Sequence, residues 1–116
     1  MRKPHFSLTR RAGGFVFVSG QLPFDSAGKI VDWDIARQTE QCLQNVQAAF
    51  ESAGLSLADT IKITVWLTNP DDFWAFDEAY AGYFPGTPPV RTTVGAVLMV
   101  PGALIEMDAQ ALIPDT

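Results

Sequence analysis

Between Arg91 and Glu106 the chain runs for fourteen residues, 92–105, without one ionisable side chain. Few folds can hide such a stretch. Its longest apolar run, residues 94–105, has twelve positions and contains Pro101-Gly102, well short of the ~20 residues that span a bilayer. No other stretch comes nearer, so no membrane partner is expected. The alternative is a sheet: strands that are apolar on both faces are buried on both. If helices cover one face, a second copy of the chain is the economical cover for the other, and ligand pockets then fall between subunits.

The rest of the chain fits that picture. Its 116 residues suit a single domain spanning 1–116. Apolar residues make up 47% and charged residues only 18%, which excludes disorder and is apolar for so small a domain. Eight Lys+Arg against thirteen Asp+Glu leave a net charge of −5, so a phosphate-neutralising surface is absent and nucleic acid is not an expected partner. A lone Cys42 rules out an intramolecular disulfide or a cysteine metal cluster and suits a reducing compartment. The basic residues near the start are not followed by the apolar stretch of a secretion signal. The expected location is cytoplasmic. Beyond Arg37 only Lys62 and Arg91 are basic, which isolates Arg91.

Turn glycines at 13 and 14 precede Phe15, Val16, Phe17 and Val18, a β-branched and aromatic run that predicts a strand ending at Ser19-Gly20. Residues 21–34 read as a loop with at most a short strand at Lys29-Ile30-Val31. Ile35, Thr39, Cys42, Leu43, Val46, Ala49, Phe50 and Ala53 then keep helical spacing, with Asp32 and Asp34 able to cap the start and Gly54 placed to end it. Ile61, Ile63, Val65 and Leu67 alternate with Lys62, Thr64, Trp66 and Thr68, a strand with one face in the core. Asn69-Pro70 opens a second helix whose stripe is Phe73, Phe76, Tyr80, Tyr83 and Phe84. After the prolines at 85, 88 and 89 come two more strand-like runs, about 91–99 and 104–112. The expected class is α+β, with two helices covering one face of a mixed sheet of about six strands.

Arg91 and Glu106 are the residues placed for chemistry. Charges flanking such a stretch need a partner or a task. One reading pairs them in a salt bridge at the end of the sheet. In the other, Arg91 offers its planar fork to a small carboxylate while Glu106 positions or deprotonates a water. Alternatives are weaker: His5 reads as surface, Cys42 as core packing, and Ser19 in Val-Ser-Gly-Gln is no nucleophile elbow. Trp33, Trp66 and Trp74 read as core or interface anchors. No phosphate loop or metal-ligand spacing occurs, so no cofactor and no metal are expected.

Several stretches, in order, resemble the RidA/YjgF family of 2-iminobutanoate/2-iminopropanoate deaminases. They are Phe15-Val16-Phe17-Val18-Ser19-Gly20-Gln21 with Pro23 and Gly28, residues 38–45 around Leu43, Ala53-Gly54-Leu55, Lys62-Ile63-Thr64-Val65-Trp66-Leu67-Thr68, Phe76 with Tyr80 and Phe84, Val90-Arg91-Thr92-Thr93, and Ile105-Glu106-Met107-Asp108-Ala109. The resemblance spans about residues 6–112. It implies a chorismate-mutase-like fold, a homotrimer with the uncovered sheet face in its core, and sites in the clefts between subunits. It also implies hydrolysis of reactive 2-imino and enamino acids to 2-oxo acids and ammonia, Arg91 holding the substrate carboxylate and Glu106 the attacking water. Main-chain groups of Gly20 and Thr93 would line the same cleft. Departures are Phe6 for a frequent tyrosine, Asp77 for a frequent asparagine and Thr93 for a frequent cysteine. The resemblance leaves room for a different enamino acid, such as an aminomuconate-like substrate, or for a non-catalytic trimer that senses a 2-oxo or amino acid.

Overall fold

The computed structural model describes residues 2–114. Its elements are β1 (Thr9–Ala12), β2 (Phe15–Gln21), α1 (Ile35–Ser52), β3 (Thr60–Leu67), α2 (Phe73–Ala81), β4 (Val90–Gly95) and β5 (Ile105–Leu112), with short 3-10 turns at Leu57–Asp59 and Pro70–Asp72. The strands form one sheet in the order β1-β2-β5-β3-β4. All pairings are antiparallel except β3 with β4, which run parallel through the α2 crossover. Five strands are present among the described residues, where the sequence suggests about six. Residues 29–31 contribute only an isolated bridge between Phe24 and Ile30.

Local chemistry sets most boundaries. Asp34 caps α1 by accepting from the Ala36 N–H at 2.9 Å. At the other end Gly54, at φ +81°, lets the chain turn back so that the Leu55 N–H reaches the Phe50 carbonyl at 2.9 Å. Asn69 accepts from the Asp71 N–H at 3.0 Å, but what it caps is the 3-10 turn, and α2 starts only at Phe73. β1 is missing from the sequence reading because Thr9-Arg10-Arg11-Ala12 is polar, short and exposed. It forms as an edge hairpin arm on β2, closed by Gly13 at φ +59°.

Both helices cover one sheet face. Val16 and Val18 of β2, Ile63, Val65 and Leu67 of β3, and Ile105, Met107, Ala109 and Ala111 of β5 meet Cys42, Leu43, Val46, Phe50, Phe76 and Tyr80 in a single core cluster. Phe50 is fully buried there. Its replacement by alanine should cost about 3–5 kcal/mol, a loss read from the midpoint of urea unfolding. Gln38, buried on α1, donates to the carbonyls of Val31, Asp32 and Gly102 and accepts from the Leu104 N–H at 2.7 Å. It thereby ties the helix to the loop before it and to the connection that precedes β5.

The opposite face is not the uncharged surface expected from the sequence. Along β5 the outward residues are Glu106, Asp108 and Gln110, all half-buried, alternating with the buried core residues. The charge-free run lies mainly outside strands: β4 ends at Gly95 because β3, its single partner, has already ended at Leu67, and only the Ala96 N–H still reaches the Leu67 carbonyl. Residues 96–104 instead form a connection that exposes Val97 and Met99 by 87% and 84%. These are the two most exposed large apolar side chains among the described residues and lie beside the exposed Val94 of the edge strand, while Phe15, Phe17 and Leu112 add exposed apolar surface on the outward sheet face.

Candidate active site

Strand register decides which side chains can meet. In β3 and β4, Ile63 pairs with Arg91 and Val65 with Thr93. Partners in register share a face, so Arg91 and Thr93 point with Ile63 and Val65 toward the helices. In β3 and β5, Trp66 pairs with Glu106 and Thr64 with Asp108, which puts Glu106 on the opposite face. Arg91 and Glu106 therefore flank β3 on opposite sides of the sheet. They form no salt bridge with each other.

Arg91 has other partners. Its Nη1 lies 2.8 Å from Asp77 Oδ1, and its Nε–H donates to Thr93 Oγ1 at 2.9 Å. The guanidinium carbon sits 4.8 Å from the Tyr80 ring centroid, 4.9 Å from Phe76 and 5.6 Å from Phe73. Such contacts contribute about 0.5–2 kcal/mol each. Their larger effect is to fix the fork's orientation. Phe73, Phe76, Asp77 and Tyr80 follow the i, i+3, i+4, i+7 spacing of one helix face, so α2 presents three rings and one carboxylate to a single cation. Burial pushes the Tyr80 phenol up to about 12 despite the nearby Arg91 charge. Its hydroxyl finds no hydrogen-bond partner among the described residues. It stays a neutral phenol and is no base. Beside this cluster a pocket of about 280 Å³ is lined by Leu67, Pro70, Phe73, Thr93, Val94 and Gly95, a volume for a small metabolite.

Glu106 forms the second half. Burial, and then the negative Asp108, hold its carboxyl above the usual glutamate range, the direction that makes a carboxylate a better proton acceptor. The bulge in β2 between Val18 and Gln21 carries Ser19 and Gly20 past it. A Cβ on Gly20 would overlap Glu106 Oε2, so glycine makes the space in which that carboxylate lies. A shallow pocket of about 240 Å³ joins Glu106 to Trp66, Ala96, Val97, Leu98 and Met99.

The structure thus brings together Arg91, Asp77 and Thr93, and separately Glu106 and Gly20. Phe6 joins neither group. Its ring is 64% exposed and lines neither pocket, although its segment reaches β2, where Ser19 donates twice to the Leu8 carbonyl. Cys42 packs in the core, with its thiol pushed far above its ordinary range by burial and by Glu106. Among the described residues no three His, Cys, Asp or Glu side chains gather as a metal site would, and no helix is long and apolar enough to cross a membrane. Sequence reasoning missed the aromatic seat of Arg91. The signal was there: Asp77 is a charge set inside the apolar stripe of α2.

Known proteins share this arrangement of elements. A RutC family protein of Pyrococcus horikoshii is 43% identical over 107 residues, 91% of this chain and 85% of its own length. The YjgF gene product of E. coli superposes with a TM-score of 0.87 at 30% identity, covering 94% of this chain and 88% of that one. E. coli TdcF, solved with bound serine, gives a TM-score of 0.88 at 32% identity over 96% of this chain and 90% of its own. The family model described as Endoribonuclease L-PSP matches residues 2–113. With its two helices on one mixed sheet, in the chorismate-mutase-like fold of these neighbours, the chain belongs to the endoribonuclease L-PSP family, also known as YjgF/RidA.

Proposed function

We propose that this protein is a deaminase that hydrolyses small reactive 2-imino and enamino acids to 2-oxo acids and ammonia. The observation that carries the reading is the fixed guanidinium of Arg91 beside a pocket of about 280 Å³. A planar fork held in one orientation suits a small carboxylate. Glu106 supplies the second function. Water adds to the carbon of the protonated C=N as Glu106 takes its proton; Glu106 then returns that proton to the nitrogen of the carbinolamine, and as the C–N bond breaks the hydroxyl gives up its own proton to Glu106, leaving 2-oxo acid and ammonia. No protein nucleophile enters, and placement provides much of the acceleration.

Because Arg91 and Glu106 occupy opposite sheet faces, one chain cannot close both on one substrate. Two subunits can. A homotrimer that packs the uncovered face and the Val97–Met99 surface of neighbours would set Glu106 of one subunit near Arg91 of the next, and would bury apolar surface that a monomer exposes. Main-chain groups at Gly20 and Thr93 line the cleft in this reading, and Phe6 lies at its margin. Small-molecule carboxylates are the partners. The net charge of −5, and Glu106 with Asp108 on the open face, argue against RNA.

The test generates a 2-imino acid in situ with a dehydratase and follows ammonia release with and without the protein. Faster release is expected. Unchanged release, with 2-oxobutanoate still bound, would select a non-catalytic carboxylate sensor, a reading favoured by the serine bound in the TdcF relative. Gly20→Ala supplies a finer check. The new methyl group displaces the flexible end of Glu106 and leaves the backbone in place. Turnover should fall roughly 10- to 100-fold, while the melting temperature hardly moves.

A further inference from the structure

The anchor arginine is not a free cation. Asp77 Oδ1 already lies 2.8 Å from Nη1, and Thr93 Oγ1 takes the Nε–H. What remains for a ligand is Nη2 and the outer edge of Nη1. The arginine side chain is 19% exposed and the aspartate 36%, so both are open to a ligand at the surface, next to the pocket that Phe73 and Thr93 line. A plain anion arriving there meets a pair whose charges cancel, and the carboxylate of Asp77 repels it. A ligand that carries a carboxylate and, on the next carbon, a protonated nitrogen meets no such conflict. Its carboxylate takes the open donors of Arg91, while its N–H group donates to the second oxygen of Asp77. Carboxylate and nitrogen on adjacent atoms match two protein groups that are themselves in contact.

We propose that Arg91 and Asp77 together form a zwitterion reader, which makes Asp77 the specificity-determining residue for 2-amino and protonated 2-imino carboxylates over 2-oxo carboxylates. The inference rests on Arg91 being the carboxylate anchor. It gives the reaction a direction at the binding step. When water replaces the C=N nitrogen and ammonia departs, the group that satisfied Asp77 is gone, and the 2-oxo acid is left on Arg91 against an unfavourable carboxylate. Product release is thereby built into the site.

Calorimetric titration with 2-aminobutanoate and 2-oxobutanoate, which share a carbon skeleton, tests this. The wild-type protein should bind 2-aminobutanoate about tenfold more tightly, the worth of one charge-assisted hydrogen bond. Asp77→Asn should reverse the preference, weakening 2-aminobutanoate and tightening 2-oxobutanoate, and Asp77→Glu should restore it in part. If the asparagine variant does not fold, Asp77→Ser carries the same expectation. Equal affinities in the wild type, or a change of both ligands by one factor in the variant, overturn the proposal. Arg91→Ala separates the two levels. Loss of both ligands supports Arg91 as the anchor whatever Asp77 does. Undiminished binding in that variant, or no binding of either ligand to the wild type, removes the anchor and the reader with it.

Discussion

Arg91→Ala and Glu106→Gln subunits, each inactive alone, should recover turnover when expressed together. The expectation follows from strand register. Arg91 shares a face with Ile63 under the helices, and Glu106 shares the other with Trp66, so in the proposed trimer a complete site would take its arginine and its glutamate from two chains. Each single variant should lose about 10²-fold or more, through the carboxylate anchor in one and proton transfer in the other. In a randomly mixed ring, about a quarter of the interfaces pair an intact arginine with an intact glutamate, and about a quarter of wild-type activity should return. A site built within one chain would return none. Neither change should prevent assembly. Arg91→Ala leaves Asp77 unpaired, but that carboxylate is over a third exposed, and a partly exposed ion pair contributes at most about 1 kcal/mol. Size-exclusion profiles of the single variants check that the ring survives.

That Arg91 and Glu106 face opposite sides of the sheet could not be read from the sequence, and the reason is geometric. Arg91 and Glu106 stand out there as charges around a charge-free stretch, but their relative facing depends on β3 lying between their strands and on β4 running parallel to it through α2. A simple turn at Pro101-Gly102 would have made the two strands neighbours. What was legible is local. The spacing from Ile35 to Phe50 shows α1 because its buried face is continuous, with Gln38 the exception, a polar core residue whose use in joining the loop before α1 to the connection before β5 is visible only when both are placed. The alternation from Ile61 to Thr68 shows β3 for the same reason. β1 was hidden because an exposed edge strand needs no apolar pattern. Asp77 stands out in the sequence as a departure from a family pattern, yet its contact with Arg91 requires α2 to lie over β4.

Glu106→Gln should raise the melting temperature at neutral pH even as it lowers turnover about 10²- to 10⁴-fold. Burial, and after it Asp108, raise the Glu106 carboxyl in the folded chain above the ordinary glutamate value of 4.5. A raised carboxyl prefers its proton in the folded state. The unfolded chain releases that proton at a lower pH, so the stability this group gives is complete below about the ordinary value and is lost as pH rises through the folded one. At neutral pH the ionised glutamate is a cost, which a neutral glutamine of the same shape removes. The stabilisation should vanish when the melts are repeated at acid pH, where both carboxyls are protonated. Asp108 is itself raised by burial, against the hydrogen bonds of Thr64 and the charge of Lys62, and its replacement by asparagine should move the acid limb of the pH–rate profile to lower pH by relieving Glu106. If Glu106→Gln melts below the wild type at neutral pH, Glu106 is a structural partner on that face. If it melts higher and turns over slowly, the fold is bearing an electrostatic cost at the position where the proposed chemistry needs a base.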